Sequence, residues 1–163
     1  MSLERAILII VWIVGTIVIA LLVHRPDFRQ FVMGFLVCQA ITWVNEALHV
    51  KLHWVSYPVR EFPKATELGF TMQYMVYPLL CGIYLICEPQ RSWTARGLYL
   101  IAWCSGLAVF HYGLARYTRL IQYIHYHWYI VWIAFFIIFV LVNAIVRWFF
   151  KDAKSVQEVE TAQ

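Results

Sequence analysis

The sequence predicts an all-α integral membrane protein built as a bundle of five transmembrane helices. Of the 163 residues, 63% are hydrophobic and 13% are charged, whereas soluble domains are roughly 25% charged. The first and last apolar runs are hydrophobic on every side over 7–14 and 130–142, as in helices surrounded by lipid. Five runs are long enough to cross a hydrocarbon core about 30 Å thick. They are 6–23, 28–48, 68–87, 97–115 and 128–150.

These runs leave no room for a separate soluble module. We predict a five-helix transmembrane domain over 1–150 and a short polar C-terminal tail over 151–163. The first run is longer than the core of a secretory signal, which has roughly 7 to 15 residues. It ends at His24, Arg25 and Pro26 without a small-residue cleavage site. We therefore expect it to be kept as the first span.

Polar side chains recur along the second run at helical spacing, and we call them the polar stripe. Gln39, Thr42, Glu46, His49 and His53 follow one another at intervals of three or four residues. A continuous helix places all of them on one face. Ionisable groups within lipid are costly and mark functional sites by default. The polar stripe is therefore the first candidate site.

A metal site is one interpretation of the polar stripe. His49 and His53 offer two imidazoles at i and i+4, and Glu46 offers a carboxylate, which together suit a divalent transition metal. Two of the histidines are alternatively ligands of a haem iron. A third nitrogen for the metal would come from His111, or from His125 or His127.

Two further interpretations of the polar stripe involve no metal. In the first, Gln39, Thr42 and Glu46 form hydrogen bonds with neighbouring helices, while His49 and His53 have already reached the membrane interface. In the second, the stripe lines a polar pocket for a lipid headgroup or a small ligand. The sequence alone leaves these interpretations open.

The segment 57–65, which we call the strap, alternates aromatic, proline and cationic residues. Pro58 and Pro63 disfavour helix at the residues before them, so the strap is expected to lie partly extended at the interface. Arg60 can hold a phosphate or carboxylate in a bidentate fork, and Lys64 adds a point charge. Ordinary interfacial anchoring is the alternative role. The candidate ligand or headgroup contacts are Tyr57, Arg60, Lys64, Gln39, Thr42, Glu46 and Arg116.

The third and fourth runs carry architectural signals. Pro78 interrupts the third run, where it is expected to kink the helix and free a backbone carbonyl. Ala102, Gly106 and Gly113 in the fourth run are small enough for close approach of a neighbouring helix. All four cysteines fall inside apolar runs, where they are expected to act as packing residues.

Connectivity and charge give a predicted topology. An odd number of spans places the N-terminus and the loops 49–67 and 116–127 on one face. Lysines and arginines divide six against seven between the faces, so the positive-inside rule decides little. The polar tail favours a cytoplasmic C-terminus and an external N-terminus. A net charge of +4 suits anionic membrane lipids as partners, and no basic array indicates nucleic acid.

The strap also carries a resemblance to a known family. The order Tyr-Pro-Val-Arg-x-Phe-Pro-Lys-Ala from Tyr57 to Ala65 resembles a family of small multi-pass membrane proteins found widely in spore-forming Firmicutes. The resemblance implies a bacterial cytoplasmic membrane location and a shared fold, and it implies no reaction. The family pattern does not require Glu46, His49 or His53, which argues against a metal site. Further matching residues are Gln39, Thr42, Trp43, Phe70, Thr71, Tyr74, Tyr77, Pro78, Tyr117, Thr118, Ile121, Tyr123, Trp128, Tyr129, Trp148 and Phe149.

These observations predict a non-enzymatic membrane component without a resident cofactor. It would bind a lipid or small ligand and act as a sensory or accessory protein, beside a membrane protein partner or as a homo-oligomer. A metal-dependent membrane enzyme using Glu46, His49, His53 and His111 is the alternative. A proton relay or small transporter is a third hypothesis, disfavoured because the five predicted spans contain no internal repeat.

Overall fold

A computed structural model of the chain describes residues 3–22, 24–89, 92–124 and 127–160, with side chains described up to residue 150. Within these ranges the protein is mostly helical. All helices except α3 are long and apolar enough to cross a membrane, which agrees with a helical membrane protein. The helices are α1 (Leu3–Leu22), α2 (Phe28–Lys51), α3 (Tyr77–Cys87), α4 (Trp93–Tyr117) and α5 (Trp128–Glu160).

The third predicted span, 68–87, is shorter in the structure. A π-helical turn over Met72–Val76 leads directly into α3, and the two form an apolar helix over Met72–Cys87. The N–H of Tyr77 donates to the carbonyl of Met72, five residues back. This wide turn comes just before Pro78, which has no N–H to donate. The count of five spanning helices is therefore not confirmed.

The strap determines where this third helical segment begins. Thr71 donates from its backbone N–H to Glu61 Oε1 at 3.1 Å, and its hydroxyl also donates to that carboxylate. Trp12 of α1 donates from Nε1 to Thr71 Oγ1 at 2.9 Å. Two residues before Thr71, a Cβ on Gly69 would lie 2.8 Å from the ring of Tyr57. These contacts keep the residues before 70 outside the helix, although their hydropathy extends the apolar run to 68.

The closest helix contact joins α2 to α3 through two glycines. A Cβ on Gly34 would lie 2.1 Å from Leu85 Cδ1, and one on Gly82 would lie 2.6 Å from the ring of Phe31. Our expectation for α4 was wrong, because a Cβ on Gly106 or Gly113 would meet none of the described atoms within 4 Å. Gly106 and Gly113 therefore face open space, whereas Ala108 of the same helix is buried.

Aromatic side chains and thiols fill the centre of the bundle. Tyr77 and Tyr84 of α3 and Phe139 of α5 are among the largest fully buried side chains. Tyr84 packs edge-on against Phe139, with ring centroids 5.0 Å apart. The cysteines Cys38, Cys81 and Cys104 are 0% exposed and unbridged. Their positions agree with the packing role predicted for them, whereas Cys87 at the end of α3 is exposed.

Two loops meet at one end of the bundle. Strand β1 (Val55–Ser56) follows α2, and strand β2 (Gln122–Tyr123) lies between α4 and α5. They pair antiparallel, with Val55 opposite Tyr123. The backbone N–H of Val59 in the strap also donates to the carbonyl of Arg119 at 3.3 Å. The 49–67 and 116–127 loops therefore lie together, as the predicted connectivity requires.

A charged network closes the opposite end of the bundle. Glu88, which follows α3, forms an ion pair with Arg147 of α5. Asn143 donates from Nδ2 to Glu88 Oε1 at 2.9 Å and to Tyr84 Oη at 3.3 Å. Arg147 also donates from Nε to Asn143 Oδ1. This network fastens the end of α3 to α5.

The outer surfaces of the bundle are apolar. In α1 only Leu8 and Gly15 are buried, and large exposed side chains such as Ile10 and Ile17 cover the rest of that helix. The backbone of α5 continues as helix to Glu160. The predicted boundary between domain and tail at residue 150 therefore falls within a continuous helix.

Candidate functional site

A buried carboxylate connects α2 to the strap. Glu46 is 8% exposed and Tyr57 is 1% exposed. The hydroxyl of Tyr57 donates to Glu46 Oε2 at 2.7 Å, and the buried amide of Gln73 lies beside the same carboxylate. Glu46 therefore anchors the first residue of the strap inside the bundle.

Two histidines lie close to this carboxylate. His49 is buried, with Nδ1 at 3.2 Å from Asn45 Nδ2, and its ring stacks on Trp54. His111 is 2% exposed, and its Nδ1 is in hydrogen-bond contact with the hydroxyl of Tyr123. Burial raises the pKa of the Tyr123 hydroxyl, so Tyr123 keeps its proton in this contact.

A small cavity separates Glu46 from His111. Its volume is about 10 Å³, and Thr42, Asn45 and Tyr77 complete its polar lining. A space of this size holds at most about one water molecule. The inner part of the polar stripe therefore forms a nearly closed polar core and not a ligand pocket.

The polar stripe is shorter than the sequence predicted. The backbone leaves helical geometry after Lys51, and His53 is exposed with φ at 55°. His53 is therefore not on the helical face that carries His49. Thr42 donates to the carbonyl of Gln39 within α2 at 3.2 Å, so the hydroxyl of Thr42 is satisfied by its own helix. Gln39 itself is half-buried.

The predicted metal ligands do not converge in the described part of the chain. No three side chains among its histidines, cysteines, aspartates and glutamates are placed to hold a metal ion. His53 is exposed because α2 ends before it, and His111 bonds to Tyr123 instead. His125 lies outside the described residues. A metal-dependent enzyme thus stays a prediction that this geometry does not favour.

The strap is held by polar and aromatic contacts. Arg60 donates from a terminal nitrogen to the carbonyl of Tyr57 at 3.0 Å. Phe62 packs edge-on against Phe70 at 5.1 Å, and Phe70 stacks on Tyr74 at 4.4 Å between ring centroids. These contacts give the strap a defined shape and fix the guanidinium of Arg60 close to its backbone.

A polar pocket of about 440 Å³, which we call the strap pocket, lies between the end of α2 and the strap. Ala47 and Val50 close it on the side of α2. Its charged lining combines three cations with one carboxylate, so a positive charge predominates. These charged residues are Lys51, Arg60, Lys64 and Glu67.

The strap pocket contains only part of the predicted site. Arg60 and Lys64 line it. Tyr57 is not in its lining but holds the start of the strap in place through its hydrogen bond to Glu46. Arg116 is exposed at the end of α4, away from the lining of this pocket. The sequence interpretation missed Lys51 and Glu67 as pocket residues. Their positions next to the strap, at the two ends of the 49–67 loop, were the available signal.

Two larger spaces are apolar grooves on the outer surface. One, of about 640 Å³, lies between α1, α3 and α4, and the other, of about 670 Å³, lies between α4 and α5. Their linings contain residues such as Val14, Leu107 and Ile133. In a bilayer such grooves face lipid chains, so the strap pocket is the candidate for a polar ligand.

No protein-family model, curated protein or solved structure matches the chain. The resemblance to small membrane proteins of Firmicutes therefore stays a prediction based on the strap motif. Functional inference depends on the geometry of the site.

We expect Tyr57→Phe to destabilise the protein by about 1–3 kcal/mol, because it leaves the buried carboxylate of Glu46 without its hydroxyl donor. Chemical unfolding in detergent micelles measures this free energy. Tyr117→Phe is the matched control, since Tyr117 is 84% exposed. Equal stability of the two variants would contradict an anchoring role for Tyr57, and a double-mutant cycle with Glu46→Gln measures the coupling between the two side chains.

Proposed function

We propose that this protein is a non-enzymatic integral membrane protein that binds an anionic ligand, such as a lipid headgroup, in the strap pocket. The observation that carries the proposal is the pocket itself, in which Lys51, Arg60 and Lys64 face one carboxylate, Glu67. Binding there would serve a sensory or accessory role, with membrane lipids as partners and with a membrane protein or a second copy as a further partner.

The lack of ion pairs to the three cations among the described residues supports this proposal. No carboxylate in the described part of the chain forms an ion pair with Lys51, Arg60 or Lys64. The Nε–H of Arg60 is buried and finds no hydrogen-bond partner among the described residues. An orphan buried donor is costly, and an anionic ligand would supply acceptor oxygens beside it.

We also propose that the helix over Met72–Cys87 crosses the bilayer, which gives five spans. At its start Thr71 binds the strap residue Glu61, and at its end Glu88 binds Arg147. The depth that this helix reaches can be measured along α5, because Arg147 of α5 binds Glu88. Arg147 lies 19 residues beyond Trp128, the start of α5, which corresponds to about 28 Å along a helix. That distance is close to the thickness of a hydrocarbon core, about 30 Å.

The proposed location is the cytoplasmic membrane of a bacterium. We propose an external N-terminus and a cytoplasmic C-terminus, so that the strap pocket opens toward the external leaflet. Support comes from the polar tail and from the family resemblance of the strap. Fusion of a periplasmic reporter enzyme to either terminus tests this orientation directly.

Charge reversal in the strap pocket tests the proposed function. We expect Arg60→Glu combined with Lys64→Glu to reduce co-purified anionic lipid at least about tenfold, because the pocket changes from net positive to net negative. Mass spectrometry of lipid extracted from protein in mild detergent measures this loss. Electrostatic attraction at a membrane surface weakens with salt, so the wild-type protein should also lose lipid at high ionic strength.

The matched control is Arg116→Glu combined with Arg119→Glu. Both residues are exposed on the same face, and the pair makes the same change in net charge without altering the pocket. Retention of lipid by the control and its loss from the pocket variant support the proposal. Equal lipid content in the two variants contradicts it, provided that both unfold at the same denaturant concentration as the wild type.

A further inference from the structure

The charge of the strap pocket favours a doubly charged ligand. Lys51, Arg60 and Lys64 contribute three positive charges and Glu67 one negative charge, which leaves an excess of two. Glu61 is the other acidic residue of the loop, but its carboxylate is occupied by Thr71. A phosphodiester headgroup brings one negative charge, whereas a phosphomonoester brings about 1.5 to 2 near neutral pH.

The position of Arg60 suits the compact oxygen cluster of a phosphate. Its guanidinium is tethered to the carbonyl of Tyr57 at 3.0 Å, and Tyr57 is itself anchored on Glu46. A guanidinium whose position is fixed in advance loses less entropy when it binds. Lys51 and Lys64 are exposed lysines on either side and can adjust to the remaining phosphate oxygens.

The surroundings of the pocket favour a lipid over a free anion. Ala47 and Val50 form its wall on the side of α2. Beside this wall an exposed apolar row runs down α2 at intervals of four residues, through Leu48 (56% exposed), Val44 (62%), Ala40 and Leu36 (55%). Residues four apart lie on one helical face, so this row gives an acyl chain about 18 Å of apolar surface directly below the pocket.

We infer that the strap pocket binds a membrane lipid whose headgroup is a phosphomonoester. The inference rests on the proposed function and narrows its ligand class. Arg60 holds the terminal phosphate, Lys51 and Lys64 neutralise it, and the acyl chain lies along the apolar row of α2. Glu67 lowers the excess positive charge of the pocket from three to two, which matches the charge of a fully ionised phosphomonoester.

Lipid binding by the purified full-length protein in detergent tests the inference. Native mass spectrometry compares phosphatidic acid, a phosphomonoester, with phosphatidylglycerol, a phosphodiester of the same acyl composition. We expect phosphatidic acid to bind about fivefold to tenfold more tightly. Lys64→Gln should reduce this preference to about twofold or less, and Glu67→Gln should tighten the binding of both lipids.

Other outcomes separate the inference from the proposed function. If both lipids bind equally well and both are lost in the Arg60→Glu, Lys64→Glu variant, the proposed function stands and the inference is wrong. If neither lipid depends on these two residues, both are wrong. Glycerol 3-phosphate, added as a soluble probe, distinguishes the source of the phosphate, because binding as tight as that of phosphatidic acid overturns the assignment of a lipid.

Discussion

A Gly82→Leu variant is expected to fail to form the native bundle. A Cβ at this position would lie 2.6 Å from the ring of Phe31 and 3.2 Å from its backbone carbonyl oxygen. The ring could rotate away, but the carbonyl belongs to α2 and moves only if the two helices separate. Overpacking typically costs about 1–3 kcal/mol, and we expect the upper end of this range or more here because the backbone of α2 itself must move. The yield of monodisperse protein after detergent extraction and the free energy of unfolding both measure it.

Gly113→Leu is the control for this experiment. A Cβ at Gly113 would meet none of the described atoms within 4 Å, and leucine is a better helix former than glycine by up to about 1 kcal/mol. The control variant should therefore be as stable as the wild type or slightly more stable. Comparable yields and stabilities of the two leucine variants would show that the contact of α2 with α3 is not close.

The Arg147→Ala variant is expected to lose about 2–3 kcal/mol of stability. The loss falls on Glu88, whose side chain is 4% exposed and would become a buried carboxylate without its cation. Arg147 itself is 39% exposed, so water screens its side of the pair and keeps the loss below the roughly 3–5 kcal/mol of a fully buried ion pair. Chemical unfolding in micelles measures the change.

A second substitution separates the buried charge from the loss of arginine packing. Adding Glu88→Gln to Arg147→Ala removes the carboxylate charge but keeps an acceptor for Asn143, so part of the stability should return. Arg119→Ala is the matched control, since Arg119 is exposed. If the double variant is no more stable than Arg147→Ala, the cost does not come from an unpaired carboxylate.

Hydropathy predicted the helices well, because a helix that crosses a membrane needs apolar residues along its whole length. Residues 28–48 and 128–150, for example, lie within α2 and α5. It failed at the start of the third run, where the backbone of Thr71 bonds to Glu61 and Gly69 packs under Tyr57. Such contacts depend on the path of the strap, which hydropathy does not describe.

The polar stripe shows a second limit of sequence patterns. Helical spacing correctly placed Thr42, Glu46 and His49 on the buried side of α2. It also included His53, because the pattern of side chains does not reveal that the backbone turns after Lys51. A single residue with φ at 55° thus removes one imidazole from the proposed metal set.

Contacts between residues far apart in the chain could not be predicted from the sequence. Glu88 and Arg147 are 59 residues apart, and nothing in their local surroundings relates one to the other. The glycine contacts are similar, because small residues in α3 and α4 look alike until their neighbours are known. By contrast, the sequence did single out Arg60 and Lys64, which line the strap pocket, because they are the two cations of a short segment that also contains Pro58 and Pro63.

The short pairing of β1 with β2 makes the strap pocket sensitive to a distant part of the chain. Val55 pairs with Tyr123, and Val59 of the strap bonds to the backbone of Arg119. Tyr123 in turn contacts the buried His111 near the end of α4. If the strap pocket binds the proposed ligand, these hydrogen bonds would couple its occupancy to the conformation of the loop between α4 and α5, which the ligand itself does not contact.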